Sequence, residues 1–148
     1  MRDDLLARFD GAWEGEETIA TTRWGEGGPA LAQISARLAL GGRVLLMDYR
    51  ETRDGQPALQ AHAVFADGAS PGDFALHWFD SYGFTPAEPA PGYRDGDRLV
   101  FVRSSSRGQT RHVYHWLGND EFTLVLESSF DGGTSWEKVM QGSYRRVP

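Results

Sequence analysis

The sequence predicts an all-β fold, an antiparallel up-and-down barrel of about nine to ten strands behind a short N-terminal helix. Three observations carry this reading. Apolar residues recur with a period of two along most of the chain, clusters of Gly, Asp, Asn, Ser and Pro punctuate these runs at short intervals, and after the opening segment no run keeps a helical period for long. The 148 residues suit a single domain, with the helix over 1–10 and the barrel over 12–146.

The elements follow in order. Asp3 and Asp4 precede Leu5, Leu6 and Phe9, and acidic residues suit the positive end of a helix dipole. Leu5 and Phe9 share a helical face, and Asp10-Gly11 stops the helix after about two turns. A first strand is expected from Trp13 to Trp24. Ala32, Ile34, Ala36, Leu38 and Leu40 then alternate with Gln33, Ser35, Arg37 and Ala39, and Gly41-Gly42 turns this arm into a second, Val44 to Arg53. Asp54-Gly55 leads into Ala58 to Ala66, and the cluster from Asp67 to Gly72 leads into Asp73 to Asp80. The Pro-rich stretch from Thr85 to Gly92 reads as a long loop, with a further strand around Tyr82 to Phe84. Strands resume at Asp97 to Ser104, Gln109 to Leu117, Glu121 to Ser129 and Trp136 to Arg146. Connections this short join antiparallel neighbours, since parallel strands need crossovers that the chain lacks. A sheet of so many strands curls, and closing it removes the exposed edges. A two-sheet sandwich is the structural alternative.

Fifteen Lys and Arg against 21 Asp and Glu leave a net charge of −6, which argues against a nucleic-acid or anionic-membrane partner. Cysteine is absent, so disulfides, thiolate metal sites and cysteine nucleophiles are excluded. No apolar stretch approaches a membrane span, and the opening MRDDLLARFD lacks the apolar region of a signal peptide, so a soluble, cytoplasmic protein is expected.

Gly11-Ala12-Trp13, following a short helix, resembles the Gly-x-Trp opening of the calycin barrels, the group of lipocalins and fatty-acid-binding proteins. The resemblance implies that Trp13 closes the barrel floor and that Arg145 or Arg146, on the last strand, packs across it. Extended to Gly11-x-Trp13-x-Gly15, the motif also resembles the haem-binding nitrobindins, which hold haem through a histidine near the C-terminus. The segment Trp136 to Pro148 contains no histidine, so that part of the resemblance does not carry over. Over most of the chain the likeness is to an uncharacterised bacterial family of calycin-like proteins, the domain of unknown function numbered 1579. It rests on the Gly-x-Trp opening, the Gly42-Arg43 hairpin followed by Asp48-Tyr49, the Asp131-Gly132-Gly133 turn with Trp136, and the ending Tyr144-Arg145-Arg146. This family implies a fold and no activity. The run Ser129 to Trp136 also resembles the Asp box of sialidase propellers. It occurs once, without an internal repeat, and reads as a hairpin staple in which Asp131 accepts backbone N–H bonds and Trp136 packs over the turn.

Chemistry is sparse in the sequence. His112 and His115 are three apart on one strand, so they point to opposite faces and cannot chelate one metal; no metal or cofactor is expected. Ser104 to Ser106 reads as a turn, and no nucleophile elbow, Walker or dinucleotide glycine pattern occurs. No catalytic residue is assigned. Eighteen aromatic residues are more informative, because a barrel of this size either fills its lumen with side chains or holds a small ligand there. The expectation is a binding module for a small hydrophobic or amphipathic molecule, contacted by Trp13, Tyr49, His62, His77, Tyr114, Trp116 and Tyr144. The alternatives are a small enzyme using His62 or His77 as general base in the same cup, and a haem-binding barrel on the nitrobindin model, which the missing C-terminal histidine disfavours. Leu99 to Val102 and Phe122 to Leu126 are apolar on both faces, which points to a covered outer wall and a homodimer.

Overall fold

Ten antiparallel strands close into one barrel in the computed structural model, which describes residues 4–83 and 86–148. The helix α1 (Asp4–Ala7) precedes β1 (Gly11–Ile19), β2 (Gly28–Ala39), β3 (Val44–Arg53), β4 (Gln56–Asp67) and β5 (Asp73–Asp80). Then follow β6 (Ala90–Asp95), β7 (Arg98–Ser105), β8 (Gly108–Trp116), β9 (Glu121–Ser129) and β10 (Glu137–Arg146). Each strand pairs with its neighbours in sequence, and β1 with β10 completes the ring. Closure rules out the sandwich. The alternation seen in the sequence becomes inside and outside: along β2, Ala30, Ala32, Ile34 and Ala36 are buried while Leu31, Gln33, Ser35 and Arg37 face solvent.

Two boundaries differ from expectation. The first strand stops at Ile19 instead of Trp24, because Thr22 and Gly25 bond to each other in a tight turn. The tenth strand is β6, inside the stretch read as loop. Ala90 and Gly92 point inward and Pro91 outward, and β6 pairs only with Asp73–Leu76 of β5 and Arg98–Phe101 of β7. The prolines mask the alternation, and Gly92 hides its core role, since a Cβ there would meet the Phe101 ring at 2.2 Å. Tyr82 lies in a turn; Phe84 and Thr85, where the further strand and the loop were placed, fall outside the described residues.

One end of the barrel is closed by aromatic packing. Leu5, Leu6 and Phe9 are fully buried, and the Phe9 ring lies 4.8–5.9 Å from those of Phe65, Tyr114, Trp116 and Phe122. Trp13 packs on Trp116 and Phe122, and its Nε1–H donates to the Phe9 carbonyl at 2.9 Å. The Arg146 guanidinium sits 4.3 Å above the Trp13 ring and donates to the carbonyls of Arg8, Asp10 and Asn119. Arg146 is therefore the floor arginine, and Arg145, one residue earlier, faces out.

At the opposite end, the turn between β9 and β10 is stapled as its sequence suggests. Asp131 accepts from the Ser129 and Ser135 hydroxyls and from the Ser135 N–H, while Gly132 and Gly133 take positive φ. These bonds, Ser135 first, hold the Asp131 carboxyl down at about 2.

Candidate functional site

Above the aromatic floor the barrel interior turns polar. Period-two geometry places Glu17 on the same inward side of β1 as Trp13, and Glu51 on the same inward side of β3 as Tyr49. Tyr144 reaches them from β10, lying over Gly15, where a Cβ would stand 2.2 Å from its ring. Only a glycine at that position lets the ring lie flat against the wall.

The resulting cluster is tightly bonded. The Tyr49 hydroxyl lies 2.7 and 2.6 Å from the two Glu17 oxygens and 3.0 Å from Glu51 Oε2, and the Tyr144 hydroxyl donates to Glu17 Oε2. Both carboxyl groups are buried. A phenol carries one proton, so Tyr49 satisfies one carboxylate at a time, and a further proton shared between Glu17 and Glu51 completes the set. Burial, followed by the bond to Glu51, lifts the Glu17 carboxyl to about 7 against the opposing bonds from Tyr144 and Tyr49. Burial and then the Glu17 charge push the Tyr49 and Tyr144 hydroxyls upward. Among the described residues, no Lys, Arg or His forms an ion pair with either carboxylate.

A second polar group faces the same lumen from β7 and β8. Arg103 Nε donates to His112 Nε2 at 2.8 Å, and the Arg103 guanidinium lies 5.3 Å from the Trp78 ring. His112 is fully buried; burial and the neighbouring Arg103 hold its pKa well below the usual value, so the ring is neutral. With Nε2 accepting, the ring proton belongs to Nδ1, which has no partner. Trp78 links the two groups, its ring 5.0 Å from His112 and 6.3 Å from Tyr49.

The residues expected to line the lumen divide by strand parity. Trp13 and Trp116 lie in the floor, Tyr114 in mid-barrel, and Tyr49 and Tyr144 at the carboxyl pair. His62 and His77 are corrected to the outer wall: Ala61 and Ala63 hold the inward positions around His62, and Leu76 and Trp78 those around His77. A one-residue slip in parity accounts for both. His62 instead meets Asp48 at 2.8 Å, half-exposed, in an outer groove of about 790 Å3 that also takes in Gln33, Arg50, Gln60 and Phe79. Ser35 and His62 flank Asp48 on opposite strands, so the acid stands between them and no serine triad forms. The groups that sequence reasoning left unassigned, Glu17, Glu51, Arg103 and His112, carried a usable signal, since each shares parity with an apolar inward neighbour on its own strand.

Haem ligation does not fit these residues. The interior histidine commits Nε2 to Arg103 and is packed against Trp78, and His115 belongs to the opposite face. No group of three or more His, Asp or Glu suited to a metal occurs among the described residues, and no described helix is long and apolar enough to cross a membrane.

Residues 2–146 match the model of a family described as protein of unknown function (DUF1579). No curated protein matches the chain. Among solved structures it is similar to Rv2717c from M. tuberculosis, at 15% identity and a TM-score of 0.74, over 98% of this chain and 96% of that one. It is also similar to the S-type phycobiliprotein lyase CPES from Guillardia theta, at 9% identity and a TM-score of 0.73, over 98% and 92% of the two chains. Both likenesses are of fold.

Proposed function

Because the chain belongs to the DUF1579 family, whose description assigns no activity, we propose a function from the barrel interior: the protein binds a small, mainly apolar or amphipathic molecule in the mouth half of its lumen. The observation that carries this is the Glu17, Glu51, Tyr49 and Tyr144 cluster. A purely structural core gains nothing from two carboxyl groups. Burying a carboxylate without a cation costs several kcal/mol, and apolar residues of like volume would serve stability better. Polar groups converging inside an otherwise apolar cup are what orients a ligand. Four carboxylate oxygens face two phenol protons and one shared proton, so acceptors are in surplus and the ligand presents a hydroxyl or amino end to the pair. Its apolar body lies against Trp78, Leu126 and Met140, at the same level of the barrel, and burial at ~25 cal/mol per Å2 drives association. The fold likeness to a phycobiliprotein lyase supports a barrel of this shape doing more than structural duty.

Native mass spectrometry of the freshly purified protein tests the reading, followed by denaturing extraction. A stoichiometric small molecule is expected, diminished in Glu17→Gln and Tyr144→Phe. A bare polypeptide mass in the wild type, with no ligand recovered, overturns it.

A second reading, acid–base catalysis in the same cup, is favoured by one observation: Glu17 titrates near 7, where a carboxyl both takes and returns protons. The base is then Glu17 instead of a histidine. Exchange of a C–H of the extracted molecule with deuterated solvent, present in wild type and absent in Glu17→Gln, distinguishes turnover from simple binding.

A further inference from the structure

The polar groups of the lumen fall short in opposite senses at two places. At Glu17 and Glu51, acceptor oxygens outnumber the phenol protons offered to them. Across the Trp78 ring, His112 presents a buried donor, Nδ1–H, with no partner among the described residues. Resting on the reading of the lumen as a binding site, we propose that its ligand is a small amphipathic amine. Its ammonium sits between Glu17 and Glu51, its apolar body lies against Trp78, and an oxygen acceptor at the far end faces His112.

The ammonium end is argued from charge. The two buried carboxyl groups meet at one phenol, the Tyr49 hydroxyl lying 2.6 Å from Glu17 Oε2 and 3.0 Å from Glu51 Oε2. Hydroxyls polarise toward a carboxylate, but only a cation cancels it. The groups acting on Glu17 are Glu51, Tyr144 and Tyr49, and none of them is a cation. Arg53, two positions along β3 from Glu51, donates instead to the Glu26 carbonyl at 3.0 Å. Burial therefore leaves the cluster holding a proton of its own, which is why the Glu17 carboxyl titrates as high as about 7. An ammonium supplies the same positive charge with three donors, enough for both carboxyl groups and a phenol oxygen. A hydroxyl end supplies one donor and no charge. The rings of Tyr49 and Trp78, 6.3 Å apart, offer aromatic faces beside the pair, and a chain of net charge −6 draws cations toward it.

The acceptor end is argued from His112. Its ring is fully buried in the lumen, 5.0 Å from Trp78 and 6.3 Å from Tyr114. Nε2 accepts from Arg103, and burial followed by the Arg103 charge keeps the ring neutral, so Nδ1 is a fixed donor. A buried donor without an acceptor is a standing cost, which a hydroxyl, ether or carbonyl oxygen on the ligand removes. Trp78 touches both His112 and Tyr49, so a body of one aromatic ring with a short arm spans the two ends.

Calorimetric titration and amide NMR of the full chain test this, with tyramine, phenethylamine, 4-(2-hydroxyethyl)phenol and 4-hydroxyphenylacetate as probes. Tyramine should bind saturably, shifting amides of β1, β3 and β10, and roughly tenfold tighter than the neutral alcohol, the worth of one charge-assisted contact. The carboxylate should not bind. Phenethylamine, which lacks the far oxygen, should bind about fivefold more weakly than tyramine. Because the ammonium replaces the shared proton, tyramine at pH 6 should release about one proton, read from buffers of different ionisation enthalpy, and the alcohol none. Glu17→Gln should bring tyramine and the alcohol to similar affinity, a ratio that does not depend on the variant's stability. His62→Ala, on the outer wall, should change nothing. Failure of tyramine to bind, an alcohol bound as tightly, or an undiminished preference in Glu17→Gln each overturns the amine, and phenethylamine bound as tightly as tyramine overturns the acceptor. A stoichiometric molecule without a basic nitrogen, recovered by native mass spectrometry, overturns the amine while leaving the lumen a binding site, whereas a bare polypeptide removes both.

Discussion

Glu17 shows how one residue couples the barrel to pH. Its carboxyl titrates at about 7 in the folded chain against an ordinary value of 4.5, so the folded state holds the proton more tightly than the unfolded state. Stability is therefore greatest below the unfolded value and falls as pH rises from about 4.5 to about 7. At about 1.4 kcal/mol per unit, the loss is roughly 3 kcal/mol. Urea denaturation at pH 5 and pH 7.5 should show the wild type weaker at the higher pH, and Glu17→Gln, which needs no proton, should flatten the difference. An equal pH slope in the variant would assign the effect to other groups. At this scale the sequence was legible wherever parity could be counted from a known inward residue. Trp13 makes Glu17 inward by simple alternation, and Tyr114 does the same for His112. His62 and His77 escaped because β4 and β5 carry alanine or leucine on both sides, and such residues do not declare which face is the core.

Among elements, β1 and β10 depend on a missing side chain. Gly15 faces Tyr144 across the pair, and a methyl group there would intrude to 2.2 Å on the ring and 2.9 Å on the Ser143 carbonyl. Gly15→Ala should cost about 1–3 kcal/mol as an overpacked core site. It should also swing the Tyr144 hydroxyl off Glu17, a bond that lowers the Glu17 pKa, so the carboxyl titration followed by NMR moves higher still. A full-strength fold with an unmoved titration would contradict this account. Strand boundaries were readable where glycine and aspartate pairs mark turns, as at Gly41-Gly42 and Asp54-Gly55. They were not readable in β6, where Pro89 and Pro91 gave the signal of a loop while Ala90 and Gly92 were filling the wall.

The barrel is asymmetric along its axis: one end is plugged by hydrocarbon and rings, and the other half buries titratable groups. Arg146 ties the plug, lying on Trp13 and bonding to carbonyls of Arg8, Asp10 and Asn119. Arg146→Ala should lower stability by about 2–3 kcal/mol, leaving those carbonyls without a charged donor. Hydrogen exchange should speed first at Phe9 and Asp10, whose N–H groups close the helical turn. Loss confined to the mouth strands would contradict the placement of the clamp.

Pairing of Gly11–Ile19 with Glu137–Arg146 has a consequence for how the chain acquires its shape during synthesis. Of the barrel's strands β1 leaves the ribosome first; it gains one lasting partner, β2, at once and must wait for the other, β10, until the eight strands between them have been translated. Until then the nascent chain is an open, curling sheet with two raw edges and its aromatic plug half-covered. Such a topology folds slowly, because its closing contact joins the first and last strands of the barrel, and it stays open to edge-to-edge aggregation while it waits. Ribosome-bound chains halted before Glu137 should accordingly be cut readily by protease, and chains released after Arg146 should resist it.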